Sequence, residues 1–197
     1  MGQQTQNLRS LTVRVLFLGL SLFLSSPLQA TFMTSSRIGG GASRLRGAGA
    51  DFSVFSQQGT LRFALFDPKS TVIVGLDATA YRFESSARAG LQQPINGNNL
   101  DLFVGTYREP WSIWVASGAG QIRILDRVDD RVDDPHRFVT AEQQIGASTD
   151  LYRATYGKIE GCIVWRTLQP EQAWRRLYKL SRIEAWQIEL GFKFLDW

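Results

Sequence analysis

Few residues of this chain are able to do chemistry, and they form no recognised catalytic or metal-binding pattern. His136 is the only histidine and Cys162 the only cysteine among the 197 residues. One of each is too few for a His/Cys zinc site, and no Gly-x-Ser-x-Gly motif supplies a nucleophile for which His136 would be the base. We therefore assign no catalytic residue, no metal ligand and no cofactor. Cys162, in a strand context, is interpreted as a buried and inert thiol.

Two charged segments are candidates for ion or lipid binding. Aspartates are concentrated between Asp126 and Asp134, but the run lacks the spacing of a calcium loop and is interrupted by arginines, so we interpret it as a solvated loop. The second segment is basic and aromatic, and its Arg175, Arg176 and Lys179 are candidates for contact with lipid headgroups, although the pattern favours the alternative. The alternative is a helix that packs one face on the domain and leaves its arginines in solvent.

The first thirty residues have the pattern of an export signal. Arg9 and Arg14 precede a short apolar run at residues 15–24, and small residues end at Ala30. Removing residues 1–30 takes two arginines away, which lowers the formal net charge from +4 to +2. Nothing in this mildly basic remainder predicts nucleic-acid binding, and one cysteine allows no internal disulfide. We expect a flexible lead-in at residues 31–43, followed by a single β-rich domain at 44–197.

The domain divides into eight segments with the alternation of β-strands and one helical segment. The last strand is the most regular, because Trp186, Ile188, Leu190, Phe192 and Phe194 share one face. A helix is predicted over Pro170–Glu184, just before it. The other predicted strands are 44–55, 60–66, 71–84, 99–108, 111–127, 137–148 and 151–166, with turns that include 57–59 and Thr149–Asp150.

Connection lengths favour an eight-stranded antiparallel up-and-down β-barrel. After the first hairpin, short and long connections alternate along the chain, as do the tight turns and longer loops of transmembrane barrels. Charges of both signs lie opposite the apolar faces, as a filled lumen requires. These residues are Asp51, Arg62, Asp77, Asp101, Lys158, Glu160, Glu189 and Lys193. The alternative is a soluble periplasmic β-sandwich or α+β domain with the apolar faces turned into a core.

Two family resemblances accompany this pattern. The spacing from Trp186 to Phe194 resembles the C-terminal signature of bacterial outer-membrane barrels, although the chain continues to Trp197. The segment from Ala89 to Pro94 resembles a loop of the lipid A deacylases, which are barrel enzymes that hydrolyse an ester of lipopolysaccharide. That family has a His-x-Ser pair where this chain has Ser85 and Ala87, so the base and nucleophile are missing.

We expect an exported, non-enzymatic outer-membrane barrel with an envelope-structural or surface-interaction role. The expected partners are outer-membrane lipid or lipopolysaccharide and the barrel-assembly machinery. A soluble periplasmic binding or interaction module is the first alternative, and a lipid A-modifying barrel enzyme is the second. The sequence leaves open whether the face of Trp186, Ile188, Leu190, Phe192 and Phe194 meets lipid or a core.

Overall fold

Eight long strands close into a ring in the computed structural model of this chain. The structure describes residues 31–47, 51–84, 93–124, 127–128, 131–132 and 136–195. In chain order the elements are β1 (Thr31–Gly47), β2 (Asp51–Phe66), β3 (Val72–Phe83), β4 (Ile95–Arg108), β5 (Trp111–Ile124), β6 (Arg127–Val128), β7 (Arg131–Val132), β8 (His136–Ala154), β9 (Gly157–Pro170), α1 (Gln172–Tyr178) and β10 (Leu180–Leu195). No helix in these residues is long and apolar enough to cross a membrane.

The barrel follows an up-and-down order in which each long strand pairs with its neighbours in sequence. The ring runs β1-β10-β9-β8-β5-β4-β3-β2, every pairing is antiparallel, and β6 and β7 form a separate two-stranded ribbon between β5 and β8. The first and last strands, β1 and β10, close the ring by pairing, with Thr34 opposite Phe194 and Arg44 opposite Glu184. This confirms the predicted eight-stranded barrel with one short helix before the last strand, rather than a sandwich.

The predicted flexible lead-in is wrong, because residues 31–43 form most of β1. Its glycines are sites of close strand contact: a Cβ at Gly39 would overlap the carbonyl oxygen of Ile188, and one at Gly41 that of Trp186. Glycine is needed here because no other residue lets the backbones approach so closely. The predicted strand at 44–55 is divided between β1 and β2, and the predicted turn at 57–59 lies inside β2. Residues 48–50, between the two strands, are outside the described part of the chain.

Two other boundaries differ from prediction because strand pairing extends further than the local sequence indicates. β8 runs through Thr149 and Asp150 to Ala154, and the register shift between Asp150 and Tyr152 is a bulge where we expected a turn. The helix is only seven residues long. It ends at Lys179, which has φ 53° and ψ 17°, and β10 begins at once because its backbone pairs with both β1 and β9.

The two ends of the barrel differ. Short connections at 67–71, 109–110 and 155–156 lie at one end, together with the start of β1 and the finish of β10. We call this the turn end. The longer connections at 84–94, 125–135 and 171–179 lie at the opposite end, which we call the loop end. The predicted alternation of short and long connections is therefore present in the structure.

Candidate membrane interface and filled lumen

The terminal strand β10 directs its apolar face outward. The exposed fractions are 61% for Trp186, 72% for Ile188, 56% for Leu190 and 47% for Phe194. Phe192 on the same face is partly exposed. The alternate residues Gln187, Glu189 and Lys193 are buried in the lumen. In the structure these apolar side chains face outward and do not form a core.

The other strands also turn their apolar side chains outward, around the whole wall. Large apolar side chains lie exposed on all eight barrel strands, whereas a soluble barrel would turn them inward. Examples from successive strands of the ring are Phe32, Phe63, Leu76, Leu102, Ile113, Ile145, Ile163 and Ile188. A mainly apolar wall around a polar interior is the arrangement that a hydrocarbon solvent requires, and Ser117 and Gln143, which are cross-strand partners, are polar residues on the outward positions.

The middle of the lumen contains a buried cluster of ionic side chains. Arg62 donates two hydrogen bonds to Asp77, from Nε at 2.7 Å and from NH2 at 2.6 Å. Arg37 donates a third to Asp77 at 3.3 Å and pairs with Glu189 at 3.5 Å. The Arg62 guanidinium carbon also lies 4.0 Å from the ring centroid of Phe103. Buried charges of this kind are stable only when they are paired, and this cluster joins β1, β2, β3 and β10.

A second polar cluster in the lumen is centred on Glu142. Its carboxylate accepts a hydrogen bond from the side-chain amide of Asn99 and pairs with Arg166 at 3.3 Å. The Asn99 oxygen in turn accepts from the Tyr81 hydroxyl at 3.0 Å. These contacts connect β3, β4, β8 and β9 across the interior. Together the two clusters fill the middle of the barrel with side chains from strands on every side.

A third cluster closes the lumen at the turn end. The Asp150 carboxylate pairs with Lys193 at 2.5 Å and with Lys158 at 3.2 Å. It also accepts a hydrogen bond from the Tyr107 hydroxyl at 2.9 Å. Lys158 also pairs with Glu109 in the turn between β4 and β5, at 2.7 Å. The bulge of β8 at Asp150 is therefore the point where four strands and one turn are joined.

An apolar cluster closes the loop end. Trp174, on α1, is fully buried and lies across the mouth of the barrel. Its ring centroid is 5.2 Å from that of Phe138 and 4.5 Å from that of Tyr178. The other buried members are Leu45, Val54, Tyr81, Phe83, Ile95, Ile122, Ile124, Leu168, Leu180, Ile183 and Ala185. With apolar residues at this end and ionic ones below, the barrel encloses a packed interior.

The structure places most of the residues that the sequence singled out as lumen charges or as candidates for chemistry. Seven of the eight predicted lumen charges are buried, but Asp51 is exposed because the even-numbered residues of β2, such as Val54 and Arg62, face the lumen and Asp51 lies on the outward side. Cys162 is buried, as predicted. His136 begins β8, and the aspartate run at 126–134 and most of the deacylase-like segment lie outside the described residues. Within the described ranges, no group of three or more His, Cys, Asp or Glu side chains is placed to hold a metal ion.

The three predicted headgroup contacts remain a prediction. Arg175, Arg176 and Lys179 are all exposed at the loop end, and the Arg175 Nε donates to the carbonyl of Pro170 at 2.9 Å. Sequence reasoning missed Arg37, Glu142 and Arg166 as lumen charges. The signal for Glu142 is present in the sequence, because it alternates with the outward residues of its strand. Arg37 was missed because its segment was interpreted as flexible.

This fold defines a class, the eight-stranded antiparallel up-and-down barrels, here with apolar side chains outside and polar ones inside. No protein-family model matches the sequence, and no curated protein matches it significantly. Among solved structures, the barrel is similar to Neisserial surface protein A (NspA), with a TM-score of 0.50 and 8% identity over 83% of this chain and 96% of that one. It is also similar to Ail, the attachment invasion locus protein of Yersinia pestis, with a TM-score of 0.50 and 13% identity over 82% and 98% of the two chains. At these identities the likeness establishes the fold.

Proposed function

We propose that this chain is a small bacterial outer-membrane barrel whose role is structural or surface-interacting and whose lumen carries no solute. The observation that supports this most strongly is the apolar outer wall. Ile188 and Leu190 are more than half exposed, while Glu189 between them is 2% exposed. Such a wall is unfavourable in water and favourable in hydrocarbon. Transfer of the exposed large side chains from water to lipid is worth on the order of 20 kcal/mol in total, at about 1 kcal/mol for each half-exposed side chain.

The connection lengths support one orientation in the membrane. Short turns of outer-membrane barrels face the periplasm, and longer loops face outward. The turn end, with both ends of the barrel sheet, is therefore periplasmic. The loop end, with α1 and its exposed Arg175, Arg176 and Lys179, lies at the outer surface beside lipopolysaccharide. Lipid or lipopolysaccharide and the barrel-assembly machinery are the proposed partners.

The packed interior supports a role other than conduction. Trp174 covers the loop end, Arg62 and Asp77 fill the middle, and Lys158 and Asp150 close the turn end. An ion passing through would have to displace paired charges, at a cost of several kcal/mol each. We therefore assign the function to the outer surface and the loop end.

Fractionation and conductance test this proposal directly. The expressed protein should appear in the outer-membrane fraction and should migrate differently on a gel before and after boiling. In a planar lipid bilayer the purified barrel should give no steady single-channel conductance. Recovery in the soluble periplasm would contradict the membrane proposal. Steady ion currents from the wild-type protein would contradict the closed lumen while leaving the membrane location intact.

A further inference from the structure

The outer wall has a hollow across β2, β3, β4 and β5. Its volume is about 670 Å³, and the residues that form it are mostly small. Leu61 and Leu100 border it, and its floor includes Gly59, Ala78, Ala80 and Ala119. We call this hollow the β2–β5 groove. It opens on the side of the barrel that faces the hydrocarbon in the proposed orientation.

Gly59, at the top of the groove, is not required by packing within the wall, unlike Gly120, where an added Cβ would overlap the backbone oxygen of Asn98. A Cβ added at Gly59 would meet only the backbone oxygen of Arg37, at 3.9 Å, which is ordinary contact. By contrast, a Cβ at Gly39 or Gly41 would overlap the backbone of β10. A larger side chain at Gly59 would therefore fill the groove without distorting the strand. The open space at Gly59 is therefore available to a molecule outside the wall.

Strand register arranges the outward residues into rows that become more polar towards the loop end. The lowest row places Leu61, Ala78, Leu100, Ala119 and Ala141 side by side on β2, β3, β4, β5 and β8. The next row, two residues along each strand, is Gly59, Ala80, Asn98, Gln121 and Val139. The third row is Gln57, Arg82, Asn96, Arg123 and Arg137. The outward rows thus change from apolar, beside Leu61 and Leu100, to a row that contains three arginines.

Two arginines of the third row, Arg123 and Arg137, lack the carboxylate that neutralises another arginine pair on the barrel, whereas Arg82 pairs with Glu84 at 3.8 Å. Arg46 and Arg182 also face each other across two strands, but Glu184 bridges them at 2.8 Å and 3.0 Å. Arg123 and Arg137 are direct cross-strand partners, and no carboxylate among the described residues lies within ion-pair distance of either. Like charges directly opposite one another are destabilising unless an anion lies between them.

The distance between the apolar row and the arginine row fits a single lipid molecule. Four residues separate the level of Leu100 from that of Asn96, which is roughly 13 Å along the strand at about 3.3 Å per residue. This span accommodates the upper part of an acyl chain and the backbone that links it to a phosphate. Guanidinium groups bind phosphate through paired charge-assisted hydrogen bonds, and the hollow offers apolar contact to the chain.

We propose that the β2–β5 groove is a binding site for one phosphorylated acyl lipid of the surrounding leaflet. An acyl chain lies along Leu61, Ala78 and Ala80, and the phosphate lies between Arg123 and Arg137, with Arg82 beside it. The inference rests on the proposed membrane function, because only a barrel in lipid presents this face to acyl chains. The exposed basic residues of α1 are not part of this site, although Trp174 of α1 packs on Phe138, the residue after Arg137.

Native mass spectrometry of the refolded barrel in detergent provides the test. The probes are diphosphorylated lipid A, the same lipid without phosphates, and inorganic phosphate. We expect one lipid A per barrel, weakened roughly ten- to a hundredfold by Arg123→Gln with Arg137→Gln, since hydrogen bonds to charged groups of this kind contribute strongly. Arg153→Gln removes an exposed arginine from the turn end of β8 and is the matched control, expected to bind as the wild type does.

A second pair of variants tests the contribution of the hollow itself. Gly59→Leu fills the hollow and should reduce lipid A binding about tenfold, whereas Ala147→Leu places the same side chain on the wall outside the groove and should leave binding unchanged. Inorganic phosphate alone should neither bind nor compete. Equal binding of the dephosphorylated lipid, or unchanged binding in the double arginine variant, would overturn the proposal. The latter is the result expected if aspartates of residues 126–134 neutralise these arginines.

A separate readout distinguishes failure of this site from failure of the proposed function. Each variant is first checked for the heat-dependent gel shift and for insertion into vesicles. Variants that insert normally but bind lipid A as tightly as the wild type would refute the site alone. A wild-type protein that never inserts would refute the membrane function on which the site depends.

Discussion

Replacing Asp77 with asparagine should be among the most damaging single changes in the lumen. Asp77 is fully buried and accepts three hydrogen bonds from two guanidinium groups, two from Arg62 and one from Arg37. Asparagine has nearly the same shape but carries no charge, and its NH2 group would face donors. Arg62 would then have no carboxylate partner, and Arg37 would retain only Glu189 at 3.5 Å.

The expected loss follows from leaving a buried charge without a partner. Removing one member of a buried ion pair costs about 3–5 kcal/mol, and the surroundings of Arg62 offer little compensation. Its guanidinium carbon lies 4.0 Å from the Phe103 centroid and 4.2 Å from that of Trp114, so aromatic rings limit the access of water. We therefore expect Asp77→Asn to lower the free energy of unfolding by about 3–5 kcal/mol.

Urea unfolding in lipid vesicles, followed by tryptophan fluorescence and by the heat-dependent gel shift, measures this change. Asp51→Asn is the matched control, because Asp51 is exposed at the start of β2 and should change the free energy by less than about 0.5 kcal/mol. The double variant Arg62→Gln with Asp77→Asn should lose less than the sum of the single variants, since it removes the unpaired charge. A loss below about 1 kcal/mol for Asp77→Asn would refute the view that this cluster is dry and tightly paired.

Three further predictions address the wall, the loop-end cluster and a turn. Ile188→Lys should cost about 2–4 kcal/mol in vesicle-based unfolding and reduce assembly, whereas Ile188→Leu should not, because only the lysine places a charge in hydrocarbon. Trp174→Ala should lower stability by about 3–5 kcal/mol through the cavity it leaves beside Phe138, and a smaller loss than that of the exposed Leu177→Ala would contradict the packing. The Ser70 hydroxyl, 2.7 Å away, and the Lys69 backbone N–H hold the pKa of Asp67 below its ordinary value of 3.8. Stability from Asp67 should therefore be present above that value and lost as the pH falls through the lower folded-state pKa, so unfolding curves of wild type and Asp67→Asn should converge in acid and separate above it.

The faces of the strands were predictable from the sequence because their alternation is local. Trp186, Ile188 and Leu190 are each separated by one residue, and any strand must place them on one side. The choice between lipid and core was not local, since it depends on which side the ring closes around. The polar residues that decide it, such as Glu189 and Lys193, have partners that are far away in the sequence, Arg37 and Asp150.

The lumen pairs and the arginine row could not be predicted for the same reason. Arg37 and Asp77 are 40 residues apart, and Arg37 meets Glu189 only because the first strand pairs with the last. The segment of β1 was misread because a run of glycines indicates a linker when its neighbours are unknown. In the barrel those glycines are required by the close approach of β10. Arg82, Arg123 and Arg137 become neighbours only through the registers of β3, β4, β5 and β8.

Photolabelling from the lipid phase tests the central claim most directly. The wild-type barrel is reconstituted in vesicles that contain a lipid with a photoactivatable group on its acyl chain, and the labelled residues are identified by mass spectrometry. We expect label on Ile188, Leu190 and Phe194, and none on Gln187, Glu189 or Lys193. Label on the second set, or none on either, would contradict a barrel that turns its apolar face to lipid.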